Sequence, residues 1–95
     1  MRTAREIRML RCGKGYFSQN AIVAALAEKG VHITRQAYHC KEHGKTPFSA
    51  REIRALADVL GISAEEAIGY FSSSKEISAL LEYGMSANDA LGIFC

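Results

Sequence analysis

Apolar residues along this chain recur at three- and four-residue spacing and almost nowhere alternate, so the pattern predicts helices and no sheet. Thr3-Ala-Arg-Glu6 is a capping signature ahead of an apolar stripe of Ile7, Met9 and Leu10, and Gly13 and Gly15 follow as stops. The first helix is therefore expected over about 3–12. Ser18 caps a second, in which Ala21, Ile22, Ala25 and Leu26 share one face until Gly30, giving about 19–29. Thr34 caps a third over about 35–43, with Gly44 where a left-handed residue is wanted at the end. Gly44-Lys-Thr-Pro47 reads as a loop, because a residue before proline disfavours the α region. Ser49-Ala-Arg-Glu52 and Ser63-Ala-Glu-Glu66 are two more capping signatures with Gly61 between them as a stop, so helices are expected over about 50–60 and 64–71. The periodic positions nominate Ile22, Leu26, Ile33, Tyr38, Ile53, Leu56, Leu60, Ile62 and Ile68 as core, with Tyr16 and Phe17 stapling the entry to the second helix.

Past residue 72 the pattern echoes itself. Ser49–Phe71, SAREIRALADVLGISAEEAIGYF, is followed by Ser73–Phe94, SSKEISALLEYGMSANDALGIF, which repeats the Ser-x-x-Glu-Ile start, the Gly-x-Ser junction and the closing Ala-(Ile/Leu)-Gly-x-Phe with one residue deleted. Each copy reads as helix, glycine-stopped turn, helix. The expectation is a domain over 1–72 and a helical hairpin extension over 73–95. The extension is rich in apolar groups for two short helices, and two outcomes are open: it completes the core, or it forms a dimer face through Leu80, Leu81, Leu91 and Phe94.

Composition adds bounds. Ninety-five residues, 48% hydrophobic, suit one small core. No apolar run approaches the roughly 20 residues that cross a bilayer, and MRTAREIRML brings charge too early for a secretory segment. Three cysteines, at 12, 40 and 95, fit no disulfide framework. A cytoplasmic, reduced setting is expected, with no membrane partner. His39, Cys40 and His43 lack a second ligand pair, so no metal is assigned.

The net charge of +2 conceals a division. Residues 1–48 carry nine basic and three acidic side chains, a net of +6, whereas residues 49–95 carry three basic and seven acidic, a net of −4. A basic half neutralises phosphates; an acidic half is repelled from a duplex and belongs away from it. The regular spacing of Arg5, Arg8 and Arg11 reads as the wet face of the first helix.

The basic excess coincides with GVHITRQAYHCKEHG, whose polar helix contributes little to a core and has the side chains to face nucleic acid. Gln36 can pair bidentately with adenine and Arg35 with guanine, while His39 and Cys40, a turn further on, also come within reach of base edges. Lys45 and Lys14 are candidate phosphate contacts. Ser18-Gln19 opening one helix, TRQA opening the next, Glu42 near its end, and Gly44-Lys45 leading through Pro47 into SAREIRALADVLGIS together resemble the helix-turn-helix domains of phage repressors and Cro proteins, the Xre-like family. The resemblance spans roughly residues 4–71 and is strongest from Thr34 to Ser63. It implies a five-helix, all-α repressor-like fold with the C-terminal hairpin added, and places Gln19 at a phosphate; Thr34, at the start of the third helix, is a further candidate phosphate contact. Two departures stand out. AEKGVHI, between Leu26 and Thr34, is longer than the family's turn, so the second helix is extended or the turn enlarged, and Lys41 replaces a large apolar residue.

No Gly-rich phosphate loop, metalloprotease motif or nucleophile elbow occurs, and no enzyme activity or cofactor is expected. The function implied is a DNA-binding regulator, a repressor of phage or mobile-element type working on duplex DNA as a homodimer. The alternatives are an antitoxin or anti-repressor whose acidic half binds a protein partner, and an interaction module that has lost DNA function.

Overall fold

The computed structural model describes residues 1–94, Phe94 by its backbone alone. Seven helices follow one another: α1 (Ala4–Gly13), α2 (Gln19–Glu28), α3 (Arg35–Glu42), α4 (Ala50–Leu60), α5 (Ala64–Phe71), α6 (Lys75–Glu82) and α7 (Ala87–Phe94). The described residues contain no strand. Among them no helix is long and apolar enough to cross a membrane.

The helix starts are set by side-chain caps. Thr3, Ser18, Thr34, Ser49 and Ser63 each accept the amide of the residue three further on, which satisfies a donor that the first turn leaves without a partner. The reciprocal box closes at Ser49–Glu52, where Glu52 also accepts from the Ser49 amide. Gly44 ends α3 at φ 78° and Gly61 ends α4 at φ 67°, conformations that cost a side chain about 1–2 kcal/mol.

The core runs through the whole chain rather than stopping at residue 72. Ile7, Ile22, Leu26, Tyr38, Ile53, Leu56, Leu60, Ala67, Ile68 and Phe71 share one cluster with Ile77, Ala90 and Leu91 of the last two helices. α4 is its hub, packing on α2, α5 and α7, and α7 also packs on α5. A radius of gyration of 12.4 Å is what one body of this length takes, so the hairpin is folded back rather than extended. The extension thus completes the core. Leu91, a candidate for a dimer face, is fully buried because α7 turns that side onto α4 and α5. Leu80 and Leu81 are half-buried against the same cluster, and the Phe94 side chain lies outside the described residues.

Four further expectations change. α6 begins at Lys75 with Ser74 as its cap, one residue later than the repeat implies, because the buried Ser72 accepts the Ser74 amide at 3.2 Å and holds the turn for one more residue. The later start still brings Ile77 into the core. Gly13 is the last residue of α1 and does not stop it, and the left-handed position falls at Gly15. Met9 lies 64% exposed, off the face that buries Ile7. Of the proposed staple, Tyr16 packs against the core and donates its hydroxyl to the Val59 carbonyl, but Phe17 is 78% exposed.

Candidate nucleic-acid interface

The lengthened segment before α3 and the lysine within that helix are both accommodated around it. α2 ends at Glu28, so the additional residues enlarge the connection, and Val31 anchors it in the core. Arg51 of α4 braces the same connection by donating to the Gly30 carbonyl at 3.0 Å. Lys41 answers the change of character at its position with an ion pair to Glu52 at 2.6 Å and a bond to the Pro47 carbonyl at 3.3 Å, which tie α3 to the start of α4.

Behind α3 a single carboxylate joins three helices. Glu42 accepts from the Arg11 guanidinium of α1 at 3.1 Å, from the Tyr38 hydroxyl at 3.1 Å and from the Gln19 amide of α2 at 3.0 Å. Arg11 and Glu42 are 4% and 2% exposed, and Arg11 also donates to the Tyr16 carbonyl at 2.9 Å. Arg11 is therefore not part of the wet face of α1. Arg8 and Arg5, about one and two turns before it, are, and what separates them is a partner 31 residues further along.

Gln19 is engaged within the protein. A carboxylate has only acceptors, so Gln19 must present its NH2 group to Glu42. The second hydrogen of that group points to His39 Nδ1 at 3.1 Å. Both donors are spent within the protein. The Gln19 side chain thereby ties α2 to α3. The same contact sets the His39 tautomer: with Nδ1 accepting, the neutral ring carries its proton on Nε2. His43 stacks on His39 at 4.1 Å and donates from Nδ1 to the His39 carbonyl at 2.9 Å.

Tyr38 carries the electrostatic consequence of this packing. Burial, together with the adjacent Glu42 charge and its hydrogen bond, pushes the phenol pKa far above its ordinary value of 10.0. A folded-state value raised in this way stabilises the protein fully below the unfolded pKa, and the stability is lost as pH rises beyond it. Urea unfolding followed from pH 8 to pH 11 should thus show stability falling above about pH 10, and Tyr38→Phe should flatten that decline. A Tyr38→Phe profile as steep as the parent's would assign the alkaline loss to other groups.

The exposed face of α3 holds the four candidate readers together. Arg35, Gln36, His39 and Cys40 line one shallow concavity of about 290 Å³. Arg35 and Gln36 are exposed in the first turn and make no side-chain hydrogen bond among the described residues, while His39 and Cys40 are half-buried behind them. Thr34 accepts the Ala37 amide at 3.0 Å and keeps its hydroxyl hydrogen for a further acceptor. Lys45, just past Gly44, and Lys14, at the end of α1, are exposed, with no ion pair among the described residues. Comparison with protein-family models, with characterised proteins and with solved structures gave no match to this chain.

Proposed function

We propose that the chain is a sequence-specific DNA-binding regulator of the phage repressor and Cro type, with α1–α5 as a helix-turn-helix domain and α6–α7 as an added hairpin. The observation that carries this is the division of α3. Its back is clamped to α1 and α2 through Glu42, and its front presents Arg35 and Gln36 free of side-chain partners among the described residues. A helix fixed from behind, with forked donors left unspent on its outer face, is what base readout requires.

Placed in a major groove, the first turn of α3 brings Gln36 to an adenine N6/N7 edge and Arg35 to guanine O6/N7, with His39 Nε2–H and Cys40 beside them. Thr34 and Lys45 flank this turn and take phosphates, as Lys14 does from α1. The amides at the start of α2, where Gln19 lies, supply a further phosphate contact. Two copies on neighbouring half-sites give a small reader the affinity one copy lacks. Tyr83 and Ile93, 89% and 58% exposed on the hairpin, are the large apolar groups available for a contact between copies. Bound across a promoter, such a dimer represses by occlusion alone.

Fluorescence anisotropy against the duplex upstream of its own gene and a scrambled duplex tests this. Loss of both bidentate pairs, each worth about 1–3 kcal/mol, should cut the preference for the upstream duplex by about 30-fold or more in Arg35→Ala/Gln36→Ala while weak non-specific binding persists. An unchanged preference would remove α3 as the reader and favour a protein partner at the acidic half.

A further inference from the structure

A second concavity lies next to the reading face. It occupies about 380 Å³ between α1 and α3 and is lined by Arg5, Arg8 and Arg11 on one side and by Gln19, His39, Glu42 and His43 on the other. His39 lines both concavities, so one side chain borders the two. The cleft's charge is not balanced from within. Its one carboxylate, Glu42, is already answered by Arg11. α1 has a single acidic residue, Glu6, and Arg2 holds it at 3.2 Å while lying over the Tyr70 ring. Arg5 and Arg8 consequently have no ion pair among the described residues, although both are fixed by a helix that is clamped to α3. Two unpaired guanidinium groups, one turn apart at the mouth of a cleft, offer the forked donors that match a phosphate.

We infer that this cleft seats one backbone phosphodiester of the bound duplex, held by Arg5 and Arg8 on the flank of the base-reading face. The inference rests on the DNA-binding function proposed above and extends the contact surface onto α1. A phosphate seated there would fix the angle of α3 in the groove without reading sequence, since backbone contacts set register and base contacts set specificity.

The test is the salt dependence of binding by the full chain and by Arg5→Gln/Arg8→Gln, measured on the preferred duplex and on a scrambled one. Releasing the counterions of one phosphate contributes about 0.9 to the slope of log K against log salt. Between 50 and 200 mM salt the parent should therefore lose about 3.5-fold more affinity than the variant, on both duplexes alike. Arg5→Lys/Arg8→Lys should retain most of the slope, and both variants should melt with the parent because the positions are exposed. An unchanged slope, with Arg35→Ala/Gln36→Ala still abolishing the preference, would overturn the cleft and leave the reading face standing. Failure of the parent to bind any duplex would overturn both. Titration with inorganic phosphate followed at the arginine side-chain NMR signals separates the remaining source. Saturable shifts at Arg5 and Arg8 in a protein whose DNA slope ignores them would make the cleft a site for a free oxyanion and refute a duplex contact.

Discussion

Glu42→Ala should destabilise the protein by about 3–5 kcal/mol, because it leaves the buried Arg11 charge without a partner. Thermal unfolding followed by circular dichroism is the measurement. For a chain of this size each kcal/mol moves Tm by about 4–8 °C, so a fall on the order of 12–40 °C is expected. The loss combines several orphaned groups. The Tyr38 hydroxyl and one Gln19 hydrogen lose their acceptor, and a buried polar group without a partner costs about 1–3 kcal/mol. The pair is not intrinsically stabilising, since desolvating two charges offsets most of their attraction. Arg11→Met/Glu42→Leu/Tyr38→Phe, which removes the charges and the hydroxyl together, should accordingly recover most of what Glu42→Ala loses. If Glu42→Ala cost under about 1 kcal/mol, water would be reaching Arg11 and the clamp behind α3 would be loose.

Leu91→Ala should cost about 2–5 kcal/mol, the range for a large apolar side chain deleted from a closed core. Leu81→Ala, at a half-buried position on the neighbouring helix, should cost clearly less. Chemical denaturation of the two variants at several protein concentrations makes the comparison. A Leu91→Ala loss that is independent of concentration places the residue in the core of one chain. A loss that grows as concentration rises would return Leu91 to an interface between copies. The same packing means that cutting the chain near residue 72 would strip Ile77, Ala90 and Leu91 from the core, so the hairpin's role is better probed by substitution at exposed Tyr83 and Ile93.

Most of the helix boundaries were legible because their signals are local. A serine or threonine three residues ahead of a waiting amide, and a glycine at a left-handed end, act over one turn and mark α2 to α5 to within a residue. The start of α6 escaped for the same local reason. Ser72, Ser73 and Ser74 are chemically equivalent caps, and the choice among them falls to the burial of Ser72 and Ile77. Long-range pairing left weaker traces. Arg5, Arg8 and Arg11 have identical spacing and identical chemistry, and only the fold brings Glu42 to the third of them. Glu42 itself carried a signal that could have been used: an acid four residues after Tyr38 on the helix nominated as a reader, in a half of the chain otherwise short of carboxylates. For Gln19 the family resemblance speaks only of a phosphate. Its commitment to Glu42 and His39 follows from three-dimensional proximity that no spacing encodes. The grouping of Arg35, Gln36, His39 and Cys40 was legible because their spacing on one helix suffices to gather them on one face.

The measurement that bears most directly on α3 as a reader of sequence is selection of duplexes from a random library by the full chain at near-physiological salt. A DNA-reading protein of this type should enrich one motif with fixed purine positions, repeated as two half-sites about one helical turn apart if two copies bind together. Recovery of unselected sequence after repeated rounds, with binding that vanishes as salt rises, would leave only non-specific attraction to the basic half and contradict the assignment of Arg35 and Gln36.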